Sequence, residues 1–244
     1  MDVSIIITAY NYAKYIVECV ESCLSQNDSL LEYEVIVVDD GSSDETPQIL
    51  NNINSSRLRK FRIKNAGIEC ASNFGFRNAR GNYVVRVDAD DSLLPNYLHH
   101  MQAHMTNKFG FFYSDYAVIN ADSEIVDKMV LPEFDPTEIR QRGDFLATGT
   151  LYEAKILAGL SYYTEEIRNS GLENYEFILR MLEAGISGKH ISNQLFCYRR
   201  HSLNISVSKR DQIIHNGDAL FSRMSLGIYQ TNKYHPYCPK RASR

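Results

Sequence analysis

Apolar and polar positions come in blocks from Val3 to Val87, and the block lengths predict the elements. Val3 to Ile7 is a near-continuous apolar run, the signature of a central parallel strand covered on both faces. From Ala13 to Ser25, the residues Ile16, Val17, Val20 and Leu24 recur at helical spacing. Glu34 to Val38 reads as a second buried strand. Ser43-Asp44-Glu45-Thr46 then opens a helix with Pro47 in its first turn and Ile49, Leu50 and Ile53 facing inward. Arg59 to Ile63 fits a third strand. Gly67 to Ala79 is helical by spacing, although Gly75 interrupts it, and Tyr83 to Val87 is a fourth strand. The alternation β-α-β-α-β-α-β implies a mostly parallel sheet with helices on both faces and right-handed connections.

Beyond Pro95 the pattern changes. Tyr97 to Thr106 is predicted helical. Phe109 to Ile119 alternates loosely, and Glu124 to Leu131 pairs with it as a hairpin around Ala121-Asp122-Ser123. Pro132 to Arg142, with two prolines and several charges, reads as a connector or flexible lid. Gly149 to Leu160 and Gly171 to Ala184 carry helical spacing, the second ended by Gly185. Ile191 to Tyr198 reads as a strand and Gln212 to Leu226 as an amphipathic helix.

Three polar clusters stand out against this frame: Thr8-Ala9-Tyr10-Asn11, Asp39-Asp40-Gly41-Ser42 and Asp88-Ala89-Asp90-Asp91. Each follows an apolar run, so each falls at the carboxyl end of a predicted strand. Ligands of open α/β sheets sit beyond those ends, near the switch in strand order, so the three clusters should meet in one crevice. In the third, an apolar run gives way to three carboxylates in four residues. Such a cluster suits a hard cation, Mg²⁺ or Mn²⁺, with a diphosphate completing its shell. It equally suits a solvated acidic turn that caps the next helix at Asp91-Ser92.

Composition narrows the classes. The chain has 244 residues, enough for one large domain with a full core, and a formal net charge of −4, which argues against general nucleic-acid binding. Its five cysteines form no C-x-x-C pair and are read as reduced thiols of a cytoplasmic protein. Met1-Asp2-Val3-Ser4-Ile5 lacks the basic region of a signal peptide, and no apolar stretch is long enough to span a membrane. No G-x-G-x-x-G follows the first strand, which disfavours a dinucleotide oxidoreductase. No Gly-rich basic loop follows it either, which disfavours a nucleotidyltransferase.

In order and spacing these pieces resemble the family 2 glycosyltransferases of GT-A fold. The resemblance rests on Val3 to Asn11, Val35 to Asp44, Asn65-Ala66-Gly67 through Ala71-Ser72-Asn73, Gly81-Asn82-Tyr83 and Asp88 to Ser92, and more loosely on 145–206. It implies a Rossmann-like, mostly parallel α/β sheet flanked by helices, with a mixed C-terminal region on the acceptor side. Residues 1–95 would bind the nucleotide-sugar, 96–208 would form the acceptor-side and catalytic half, and 209–244 would be a C-terminal helix and basic tail. The implied reaction is transfer of a sugar, with inversion, from a nucleotide diphosphate donor to a glycan or lipid-linked acceptor in surface polysaccharide synthesis, with UDP as the implied nucleotide. By the same resemblance Thr8 and Tyr10 would flank the base and Asp39 would contact base or ribose. Asp40 would support the turn, Asn73 would line the nucleotide pocket, Asp88 would reach the ribose and Asp90 would ligate the metal.

The C-terminal half departs from the family pattern. The family carries a Glu-Asp pair at the start of a helix, the Asp acting as general base; the matching segment here is Gly171-Leu172-Glu173-Asn174-Tyr175-Glu176. Asn174 cannot take a proton as a carboxylate does. Glu173 or Glu176 could then serve as base, with Glu173 nearer the family's position, or the chain could be a catalytically impaired donor-binding subunit. In Tyr198 to Ser206, His201 is a candidate phosphate or metal contact by resemblance, or else a solvated loop histidine. The tail from Tyr229 to Arg244, with its tyrosines and cations, is expected either to touch a membrane surface or a partner, or to be disordered.

Overall fold

The structure is a computed structural model that describes residues 1–26, 30–106, 108–143, 145–146, 148–230 and 233–234. The first half runs β1 (Val3–Ala9), α1 (Ile16–Leu24), β2 (Tyr33–Asp39), α2 (Thr46–Asn52), β3 (Leu58–Arg62), α3 (Ile68–Asn78) and β4 (Tyr83–Asp88). A short β5 (Ser92–Leu93) and α4 (Tyr97–Gln102) follow, then the hairpin β6 (Phe111–Ile119) and β7 (Ile125–Met129). The chain continues through α5 (Pro136–Arg142), β8 (Leu151–Glu153), α6 (Ala154–Gly159), α7 (Glu173–Glu183), β9 (Gly188–Arg199), α8 (Ile205–Ser208) and α9 (Arg210–Arg223).

These strands form one sheet in the order β3-β2-β1-β4-β8-β6-β9-β5, with β7 on β6. The first four are mutually parallel. The chain leaves β1 toward β2 and β3 and returns to β4 on the other side of β1, so strand order switches between β1 and β4. There Thr8 stands opposite Asp88, while Ala9 stands opposite Asp39 across the other edge of β1. The three polar clusters are thus brought to one level by register alone. β1 and β2 are buried along their whole length, because α1 and α3 cover the sheet. Gly75 belongs to this packing: a β-carbon there would lie 2.3 Å from Ile6 Cγ2, so the glycine that weakens the helical spacing is what lets α3 lie close on β1.

Two expectations are corrected. Pro132 to Arg142 is not simply a connector. Asp135 Oδ1 accepts from Thr137 N at 2.8 Å, and Pro136, the second of the two prolines, opens α5 in the stretch read as a connector or flexible lid. Gly149 to Leu160 is not one helix: Leu151 and Tyr152 pair with β4 and β6 before α6 begins.

A buried acid fastens the amino-terminal edge of the sheet. Glu34 Oε1 accepts from Ser4 Oγ and from Arg80 N, both at 2.8 Å, and Oε2 accepts from Arg59 Nη1 at 2.8 Å. Burial works against the ionised carboxyl, but these hydrogen bonds outweigh it and hold Glu34 below the usual carboxylate value. A depressed carboxyl stabilises the fold above its unfolded pKa and loses that contribution as pH falls through the folded one. Glu34→Gln should therefore cost about 1–3 kcal/mol in urea unfolding at neutral pH. The gap to the parent should narrow as the pH is taken below the ordinary carboxyl value of 4.5.

Candidate active site

At the carboxyl ends of β1 and β4 lies a crevice of about 730 Å³, reached by residues from both halves of the chain. One wall is set by the turns after β1 and β2. Asn11 sits in the left-handed region at φ 61°, and its Oδ1 accepts from Ser43 N at 2.7 Å while its own N–H donates to Ser42 Oγ at 2.9 Å. Gly41, at φ 74°, closes the second turn; a β-carbon there would stand 2.8 Å from Asn65 N. Thr8 and Tyr10 line the crevice. Thr8 Oγ1 is buried without a hydrogen-bond partner, and Tyr10, 46% exposed, stands at the mouth.

The two acids after β2 act on different neighbours. Asp40 lines the crevice, and its carboxylate accepts from Ala66 N at 2.8 Å and Gly67 N at 2.9 Å, tying the β2 turn to the start of α3. Burial nevertheless pushes its carboxyl up. Asp39, expected at base or ribose, is not among the lining residues: Oδ1 accepts from Ser42 N at 2.9 Å and Oδ2 pairs with Arg62 at 3.3 Å. Asn73, expected to line the nucleotide pocket, lies outside the lining too. Its Nδ2 donates to Tyr163 O and Glu165 Oε1, and its Oδ1 accepts from Tyr163 N, so it straps the loop after α6 onto α3.

Opposite lies an acidic corner. Burial, more than any neighbouring charge, raises Asp88 to about 6, against the pull of Arg86 and with a push from Asp90. Asp91 is driven up by burial and then by Asp90 and Asp88, although its Oδ1 accepts from Arg199 N at 2.8 Å. Asp90 Oδ2 takes hydrogen bonds from His201 Nε2 and Asn204 Nδ2, both at 3.0 Å. His201 is therefore at the acidic corner rather than in solvent, with Tyr15 stacked on it at 5.1 Å. Its Nδ1 accepts from Leu203 N at 3.2 Å, which puts the ring proton on Nε2, facing Asp90. Among the described residues, no three His, Cys, Asp or Glu side chains group as a metal site.

The third wall is the start of α7. Glu173 and Asn174 line the crevice; Glu176 does not. Glu176 gives both oxygens to Arg180, at 2.9 and 3.0 Å, which removes it as a base for anything bound here. Glu173 is buried, its Oε1 accepting from Arg86 Nη1 at 2.7 Å and its Oε2 lacking any hydrogen-bond partner. Asn174 is fully engaged. Its Oδ1 accepts from the hydroxyls of Tyr152 and Tyr163, and its Nδ2 donates to Leu146 O at 3.1 Å, pinning a stretch whose Phe145, Leu146 and Thr148 line the crevice.

Residue-by-residue reading missed Arg86. It is buried in β4, donates to Glu173, and its Nη2 lies 3.3 Å from Asp88 Oδ1, which makes no hydrogen bond. The signal was available: an arginine inside Val84-Val85-Arg86-Val87, on a strand covered from both faces, needs acidic partners. Asn204, Tyr152 and Tyr163 carried no such signal.

Comparisons with known proteins bear on the family and the fold. The profile of Glycosyl transferase family 2 matches residues 4–154. Chondroitin synthase of Escherichia coli is 31% identical over 218 residues, covering 86% of this chain but only 30% of its own length. Hyaluronan synthase of Pasteurella multocida is 30% identical, covering 85% of this chain and 21% of its own, so the chain spans under a third of either synthase. The Escherichia coli UDP-Glc:alpha-D-GlcNAc-diphosphoundecaprenol beta-1,3-glucosyltransferase WfaP is 30% identical over 237 residues, with 93% and 87% covered. Among solved structures, S. aureus TarS with UDP-GlcNAc superposes at a TM-score of 0.73 with 21% identity, over 92% of this chain and 66% of that one. The mannosyltransferase PcManGT from Pyrobaculum calidifontis, in complex with GDP-Man and Mn²⁺, superposes at 0.67 with 16% identity, over 95% and 66%. These two likenesses show the fold.

Asn174→Ala would leave two tyrosine hydroxyls and the Leu146 carbonyl without their shared partner. It should lower stability by about 1–3 kcal/mol in chemical denaturation, as a residue that pins a loop must. An unchanged denaturation midpoint would remove Asn174 from that role.

Proposed function

Because the chain belongs to Glycosyl transferase family 2, we propose that its crevice moves a sugar from a nucleotide diphosphate donor, a UDP-sugar, to a hydroxyl of a glycan or lipid-linked acceptor with inversion. The names of WfaP and of the chondroitin and hyaluronan synthases supply the acceptor class and the setting of surface polysaccharide synthesis. The observation that carries the reading is Glu173. It is a buried carboxylate with one oxygen held by Arg86 and the other unpartnered, in the same crevice as the acidic corner of β4.

In this reading the nucleotide lies along the turns after β1 and β2, where the unpartnered Thr8 hydroxyl and the Tyr10 ring meet it. The acceptor hydroxyl attacks the anomeric carbon from the side opposite the diphosphate. Its proton passes to Glu173 as the new C–O bond forms, and the electron pair of the broken bond leaves with the diphosphate. Arg86 holds Glu173 in one rotamer, so the oxygen that receives the proton is placed before the acceptor arrives.

The acidic corner fits a divalent cation in kind. Burial and the neighbouring Asp90 raise the Asp88 carboxyl, and Arg86, 3.3 Å from its Oδ1, does not offset them. A cation held by Asp90, with Asp88 beside it, would take up negative charge that develops on the leaving diphosphate. With few protein ligands, the rest of its shell falls to phosphate and water, as Mg²⁺ sites of this type commonly arrange. His201 donates to Asp90 here and would ligate only after giving up its Nε2 proton.

Asn174, held by three hydrogen bonds and unable to accept a proton as a carboxylate does, favours a second reading: a subunit that binds donor without transferring it. Membrane association through the C-terminal tail belongs with these proposals; residues 231–232 and 235–244 lie outside the described residues. Among the described residues no helix is long and apolar enough to cross a membrane.

Glu173→Gln separates the two readings. If Glu173 is the base, turnover should fall by about 10²- to 10⁴-fold with donor affinity nearly unchanged. No turnover by the parent with any tested donor and acceptor would favour the binding subunit. The metal proposal is tested by calorimetric titration of UDP with and without Mn²⁺. Asp90→Ala should abolish the difference between the two titrations, and an unchanged difference would take Asp90 out of the site.

A further inference from the structure

The rim of the crevice that runs through His201 and α8 is rich in cations. On a protein with net charge −4, residues 199–210 hold Arg199, Arg200, Lys209 and Arg210 and no acid. Arg199 is buried, where it donates to the Asp90 carbonyl at 2.7 Å and pairs with Glu18, but Arg200 and Lys209 stand exposed. Lys14 is exposed on the same side: its Nζ lies 5.0 Å from the ring of Tyr15, which stacks on His201. Between these cations two aliphatic side chains project into solvent, Leu203 at 79% and Val207 at 50% exposure. They flank the start of α8, Leu203 in the turn before it and Val207 within it.

The rim is held out firmly rather than hanging loose. Asn204 bonds Asp90 and the Arg199 carbonyl through Nδ2, and Ser208 Oγ donates to the Asn204 carbonyl at 3.0 Å. These bonds anchor the turn from which Leu203 and Val207 project, Leu203 also lining the mouth of the crevice. Aliphatic tips bracketed by lysine and arginine are the chemistry of a surface that lies on anionic headgroups and sinks its apolar side chains into the boundary below them.

We propose that this rim seats the protein on an anionic lipid bilayer, with the crevice mouth at the membrane surface. The proposal rests on the transferase reading only for its purpose, which is to bring the mouth to an acceptor carried by a lipid. Charge complementarity selects the occupant: a neutral bilayer would satisfy the aliphatic tips but not the cations. Each cation near such a surface strengthens binding by about fivefold, and the interaction weakens with salt.

The test is co-sedimentation of the full chain with vesicles of phosphatidylcholine alone and of equal parts phosphatidylcholine and phosphatidylglycerol, at low and high salt. The parent should pellet with the anionic vesicles and not with the neutral ones, and less so at high salt. The exposed pair Val207→Ser with Lys209→Glu should lower the partition coefficient by about tenfold or more. The same changes on the hairpin, Ile125→Ser with Lys128→Glu, should leave it unchanged, and circular dichroism of both variants should match the parent. Equal pelleting with both vesicle types, rim variants that bind like the parent, or hairpin variants that lose as much would each overturn the proposal. Turnover on a water-soluble acceptor, run in parallel, keeps the two claims apart: turnover without vesicle binding refutes the rim and leaves the transferase, and binding without turnover does the reverse.

Discussion

One guanidinium decides how the site is built. Arg86 is buried in the sheet and stands between Asp88 and Glu173, and the carboxylates around it outnumber the buried cations. Asp90 and Asp91 add two more charges at the end of β4, and Glu69, raised first by burial and then by Glu173, adds another behind α7. Removing one partner of a buried ion pair costs about 3–5 kcal/mol, since the charge left behind has no water to replace it. The arrangement therefore fixes the rotamer of Glu173 and leaves the acidic corner short of positive charge. Both follow from the placement of a single arginine at a strand position that would otherwise hold a valine-like side chain.

The parts of the fold that were legible in the sequence are those whose signal is local. β1, β2 and β4 show as apolar runs because both of their faces are covered, and the hairpin β6–β7 shows because its turn residues separate two strand-like stretches. α5 was hidden because prolines that start a helix and prolines that break one look alike until the capping Asp135 is placed. β8 was hidden because three residues paired on both sides carry no periodicity of their own.

The candidate site divides the same way. The polar clusters could be read because they follow strands directly, and register then does the rest: Thr8 faces Asp88 and Ala9 faces Asp39. The pairing of Arg86 with Glu173 spans 87 positions, and nothing in either segment names the other. Asn174 looked like a lost carboxylate when only its neighbours in sequence were considered. In the folded chain it is the common partner of two tyrosine hydroxyls and the Leu146 carbonyl, a use that depends on three separate segments. Asp39, Asn73 and Glu176 show the converse. Residues in positions that suggest ligand contact are instead occupied in holding the Ser42 turn, the Tyr163 loop and Arg180.

The central claim is that Arg86 and Glu173 act as one unit in proton transfer. A double-mutant cycle on turnover, with Arg86→Gln, Glu173→Gln and the two combined, measures this directly. If the pair is a unit, the double variant should be no slower than the slower single variant, because the second change removes nothing that still works. Losses that multiply in the double variant would show that the two residues act independently, and would contradict this account of the site.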